Sequence, residues 1–63
     1  GAHRDGLAAD IKVRGHKAYE VIAKAGEFGF TGIGVAQKGE SRFIHLDVSA
    51  HQVTRPRPWI WSY

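Results

Sequence analysis

Sixty-three residues without a single cysteine cannot be stapled by disulfides, and that limits what this chain can fold into. A chain of this size buries only about 60% of the surface its unfolded form exposes. One small domain is the most it can build, and such domains commonly rely on a bound metal or a partner. With thiolates excluded, the carboxylates and four histidines (His3, His16, His45 and His51) are the available metal donors. Hydrophobic residues make up 43% of the chain and charged residues 24%, too apolar for a disordered tail and too interrupted for a membrane span. No membrane insertion is expected. The net charge of +3 favours an anionic partner without choosing among nucleic acid, membrane surface and cell-wall polymer.

Period-two alternation over residues 7–13 predicts a strand, with Ala9, Ile11 and Val13 on one face and Ala8, Asp10 and Lys12 on the other. Residues 16–25 read as a helix, because Ala18, Val21, Ile22 and Ala25 recur at i, i+3, i+4 and i+7. Gly26 follows where a left-handed cap is wanted. Five glycines between Gly26 and Gly39 imply a loop with close backbone approach, leading into a strand near residues 33–36. A turn over 37–41 and a strand over 42–48 complete an antiparallel hairpin, in which Phe43, His45 and Asp47 share a face. The tail from His51 holds both prolines, both tryptophans and no acidic residue. Its Arg55-Pro56-Arg57-Pro58 run cannot enter a central strand and reads as extended, delivering Trp59 and Trp61 as packing groups. The expected fold is α+β: a small antiparallel sheet from the strands near 8–13, 33–36 and 42–48, with the helix packed on one face. Ile11, Val13, Val21, Ile22, Ile44 and Leu46 form the core, and the opposite face is left for a metal.

His3 and Asp10 lie seven residues apart across Gly6, so a turn there brings imidazole and carboxylate together, and His45 completes a cluster. Two nitrogens and one oxygen suit Zn²⁺, and three protein ligands with an open fourth position mark a catalytic rather than a structural site. Zinc at such a site activates water and polarises a carbonyl, the requirements of amide hydrolysis. Spacing alone leaves this reading open beside the plainer one, in which each histidine is an ordinary surface or core residue. His16 and His51 have no partner at defined spacing and are assigned to the surface, and Asp5 is read as solvated.

Residues 3–10 read His-x-x-Gly-x-Ala-x-Asp, and Arg42-Phe43-Ile44-His45-Leu46-Asp47 reads as an aromatic, aliphatic, His-x-Asp strand. This pattern resembles the zinc D-alanyl-D-alanine carboxypeptidase and murein endopeptidase family, whose relatives include vancomycin-resistance dipeptidases, phage endolysins and the hedgehog signalling domain. Gly32-Ile33-Gly34-Val35 and the closing Trp61-Ser62-Tyr63 resemble further family segments, so the likeness runs from end to end. The resemblance implies that His3, Asp10 and His45 bind zinc. It also implies that residues 1–63 are the carboxyl-terminal part of a single zinc peptidase-like domain. The upstream half, with its substrate-binding arginine, is absent from this sequence and would come from another chain or segment.

Three departures from the family pattern bear on chemistry. Gly1 stands in place of the usual serine, Arg42 in place of an acid three residues before the third ligand, and Phe43 in place of a histidine found in other relatives. Neither Arg42 nor Phe43 can act as a base. Asp47, about 6.6 Å along the strand from His45, is the expected catalytic base, and Glu40 in the turn is the alternative. The expected activity is zinc-dependent hydrolysis of an amide in peptidoglycan stem or cross-bridge peptides, next to a D-amino acid. The setting would be a periplasm or cell wall, or a phage lysis or virion-associated enzyme. The alternative is a zinc-stabilised module that has lost its base and binds wall peptide or a protein. Arg55 and Arg57 beside Trp59 and Trp61 are too few for a nucleic-acid platform, so no nucleic-acid partner is expected.

Overall fold

A computed structural model describes residues 8–63. The first strand, β1, spans Ala8–Ile11, followed by the helix α1 (His16–Ala25), β2 (Gly32–Ala36), β3 (Phe43–Asp47) and β4 (Trp59–Ser62). The helix has the expected bounds, and its apolar stripe does the packing: Ala18 and Ala25 are buried, Val21 and Ile22 half-buried. Gly26 is not the left-handed residue, since its φ of −62° and ψ of −36° are helical. That conformation falls instead at Gly29, with φ +85°. There the Phe30 N–H donates to the Ala25 carbonyl at 3.1 Å and the Gly29 N–H to the Gly26 carbonyl at 3.2 Å. These are the paired bonds of a Schellman motif one turn later than expected, and Phe30 packs against the buried core that includes Ala25.

The strand order is β1-β3-β2-β4. β3 pairs antiparallel with both β1 and β2, so those two strands run the same way with β3 between them. The helix that connects them crosses one face and packs on β3. The hairpin expected from residues 33–48 is present, with Ile33 opposite Leu46 and Val35 opposite Ile44. β4 adds to the free edge of β2 in parallel, so the sheet is mixed rather than antiparallel. The expectation missed this strand because Pro56 and Pro58 argue against pairing. The strand begins immediately after Pro58, on an outer edge where no second partner has to be bonded.

Alternation divides the sheet into two unlike faces. Toward the helix lie Ile11, Ile33, Val35, Ile44 and Leu46, with Ile44 fully buried and Leu46 nearly so. Val13 and Phe30 extend this core beyond the strand ends. Burying Ile44 contributes about 1.5–3 kcal/mol, and the small Ala18 and Ala25 let the helix backbone approach the sheet. The other face carries Asp10, Gly32, Gly34, His45, Asp47 and Trp61, brought alongside one another by the register.

Candidate metal and carboxylate–histidine site

His45 lies at the centre of the second face. In the register, Asp10 of β1 is its partner on one side and Gly34 of β2 on the other. Its Nδ1 is 3.0 Å from Asp10 Oδ1, and its Nε2 is 2.9 Å from Asp47 Oδ2. Two carboxylates therefore flank a ring that, when neutral, has only one N–H to donate. The second contact needs a cation between nitrogen and oxygen, either another proton or a metal ion.

The two carboxylates differ in setting. The Asp10 side chain is 61% exposed, whereas that of Asp47 is 5% exposed. A buried carboxylate needs compensation, and Arg57 supplies it. Its Nε donates to Asp47 Oδ1 at 3.0 Å and one terminal nitrogen to Oδ2 at 2.8 Å, and the Ser49 N–H adds a bond to Oδ1 at 3.2 Å. The Arg57 guanidinium, reinforced by the His45 and Ser49 bonds, outweighs burial and holds the Asp47 carboxyl well below the usual carboxylate range. The same pairing raises Arg57 above its ordinary value. The pair stays charged under all ordinary conditions.

Glycines make room for this arrangement. Gly32 is opposite Asp47, and a Cβ there would overlap the Asp47 carboxylate and the Arg57 guanidinium. A Cβ on Gly34 would stand 2.7 Å from the indole of Trp61. That indole packs against the His45 ring, with centroids 5.4 Å apart, and lies under the Arg57 guanidinium at 5.0 Å.

Of the three expected ligands, the structure brings together Asp10 and His45, while His3 lies outside the described residues, as do Leu7, Asp5 and Gly1. Among the described residues, no group of three or more His, Cys, Asp or Glu side chains converges in a way that could hold a metal ion. Asp47 does not make a third donor because it grips the opposite nitrogen of the ring from Asp10. The two donors present do fit zinc. Zinc–ligand bonds of about 2.0–2.1 Å place tetrahedral ligands about 3.3 Å apart, close to the observed 3.0 Å between Nδ1 and Oδ1. Asp47 on the far nitrogen is the carboxylate partner that metal-bound histidines usually have.

At Asp47, the expected base, both oxygens accept hydrogen bonds, from Arg57, Ser49 and His45. Glu40 is exposed in the β2–β3 turn beside Lys12, Arg14 and Arg42, and Arg42 donates to the Gly39 carbonyl at 2.7 Å. His16 is exposed at the start of the helix, as expected, and His51 is also exposed but accepts the Arg57 N–H at 3.1 Å. Trp59, expected to pack, is 55% exposed. Sequence reasoning missed Arg57. The available signal was indirect: a strand with Asp47 facing inward needs a buried cation, and the Gly-x-Gly across from it leaves the space. Among the described residues no helix is long and apolar enough to cross a membrane.

Compared with protein-family models, curated proteins and solved structures, the chain finds no match.

Proposed function

We propose that this chain is the zinc-holding part of a peptidase that hydrolyses an amide in peptidoglycan stem or cross-bridge peptides, next to a D-amino acid. The observation that carries the reading is the convergence of Asp10 and His45. These residues are 35 apart in sequence and come from different strands, yet their tips meet at 3.0 Å while a buried carboxylate holds the far side of the ring. Asp10 and His45 would hold the zinc with His3 as the third ligand. The resemblance of the sequence motifs to zinc murein peptidases supplies the substrate class.

Zinc, when bound, supplies an activated water and polarises the scissile carbonyl. His45 presents Nδ1 toward Asp10, and Asp47 fixes the ring and its tautomer through Nε2. Trp61 packs against the imidazole, with ring centroids 5.4 Å apart. The net charge of +3 suits an anionic wall polymer, met in a periplasm or cell wall or by a phage lysis or virion-associated enzyme.

A second reading has a specific observation behind it. Asp47 is fully engaged, and Arg42 stands where relatives carry an acid, which favours a zinc-stabilised module that binds wall peptide without cutting it. Metal analysis of the purified chain and muropeptide profiling after incubation with murein separate the possibilities. Zinc with new chelator-sensitive amines supports the peptidase, and zinc with bound, uncut murein supports the module. Loss of neither zinc nor cleavage in His45→Ala would falsify both.

A further inference from the structure

We infer that Arg57 is a positioning residue of this site: acting through Asp47, it sets the direction in which the His45 ring presents Nδ1. The inference rests on the proposed zinc role of Asp10 and His45. Arg57 is built into the fold, with a side chain only 6% exposed. Its remaining terminal nitrogen donates to the Pro56 carbonyl at 2.8 Å, its backbone N–H to His51 at 3.1 Å, and its guanidinium lies over Trp61. Three contacts thus hold Arg57 apart from the carboxylate, two of them on the guanidinium itself.

The planar fork determines what Asp47 can do. Two parallel bonds from Nε and a terminal nitrogen fix the carboxylate plane, which a single ammonium cannot do. With Ser49 also on Oδ1, the free direction on Oδ2 points at His45 Nε2. An imidazole held at Nε2 and backed by Trp61 has one orientation left, with Nδ1 facing Asp10. Gly32 belongs to the same device, because a side chain there would occupy the space in which fork and carboxylate meet. Without Arg57 the buried carboxylate has no counter-charge and the ring loses its fixed support.

A residue that served stability alone would change the melting temperature and leave the ring where it is. The test therefore reads zinc affinity and ring placement. Zn²⁺ is titrated into wild type, Arg57→Gln and Arg57→Lys in competition with a chromophoric chelator. The metal-free proteins are compared by NOE cross-peaks between the His45 ring protons and the Trp61 indole. Arg57→Gln is expected to bind Zn²⁺ about 10- to 100-fold more weakly and to lose the cross-peaks, with Arg57→Lys in between. A folded Arg57→Gln with wild-type affinity and wild-type cross-peaks overturns the inference. If Arg57→Gln fails to fold by circular dichroism, Arg57→Lys carries the test, because it keeps the charge and loses the fork. Wild-type values in it overturn the inference, and weakened affinity with weakened cross-peaks supports it. If wild type itself takes up no zinc, the zinc reading fails, and the cross-peaks alone decide whether Arg57 places the ring.

Discussion

The two faces of the sheet are held by different physics. The helix side is aliphatic and gains stability in small, interchangeable portions, with Ile44 and Leu46 at its centre and half-buried neighbours around them. The opposite side depends on one buried ion pair, Arg57 with Asp47, and on two glycines that make room for it. The first face can lose a methyl group and adjust. The second is a closed set of charges and bonds in which removing one member strands the others.

The largest effect is therefore expected on the smaller, polar face. Asp47→Ala leaves Arg57 buried without its counter-charge, which costs about 3–5 kcal/mol. Ile44→Ala, on the aliphatic face, costs about 2–5 kcal/mol. A domain of this length has only about 3–9 kcal/mol in total, from roughly 0.05–0.15 kcal/mol per residue. Urea titrations followed by circular dichroism should find Asp47→Ala largely unfolded without denaturant. Replacing both Arg57 and Asp47 with apolar residues should recover much of the loss, because the isolated charge rather than the missing attraction is what destabilises. A double variant no better than Asp47→Ala would mean that the two faces do not differ in this way.

Glycine gives an intermediate test. Gly34→Ala places a Cβ 2.7 Å from the Trp61 ring, between paired strands that cannot spread. Such overpacking costs about 1–3 kcal/mol. Gly26→Ala is the matched control, since Gly26 has helical angles and its Cβ would meet nothing within 4 Å. It should be neutral or stabilising by up to about 1 kcal/mol. Denaturation midpoints for the two variants, with Trp61 fluorescence as a second probe, check the sign of each.

The same contrast explains what could be read from the sequence. The helix was legible because Ala18, Val21, Ile22 and Ala25 repeat at its period, and the hairpin because Ile33, Val35, Ile44 and Leu46 alternate. The shared face of His45 and Asp47 followed from strand geometry alone. The position of β4 did not, because edge pairing leaves little local signal and the prolines before it pointed the other way. Gly29 was missed as the cap because the nearer Gly26 satisfied the same rule. Arg57 was the hardest, being one of nine basic residues and distinguished only by a partner ten positions away. Pattern reveals which face a residue is on, but the pairing of buried charges is settled by the assembled fold.

The smallest stability effect belongs to the other carboxylate on His45, and it gives the finest comparison. Asp10 and Asp47 contact the same ring at nearly equal distance, 3.0 and 2.9 Å, yet the side chain of Asp10 is mostly in solvent. An exposed pair of this kind contributes about 0–1 kcal/mol. Asp10→Asn should therefore unfold at nearly the wild-type urea concentration when zinc is absent. Added zinc reverses the similarity: a ligand at 100 times its dissociation constant stabilises wild type by about 2.7 kcal/mol, and a variant lacking one charged donor gains much less. Thermal unfolding of both proteins with and without Zn²⁺ reads the difference directly. Equal shifts in the two would show that Asp10 is only a surface partner of His45. A shift confined to wild type would make the exposed carboxylate the functional one and the buried carboxylate its support.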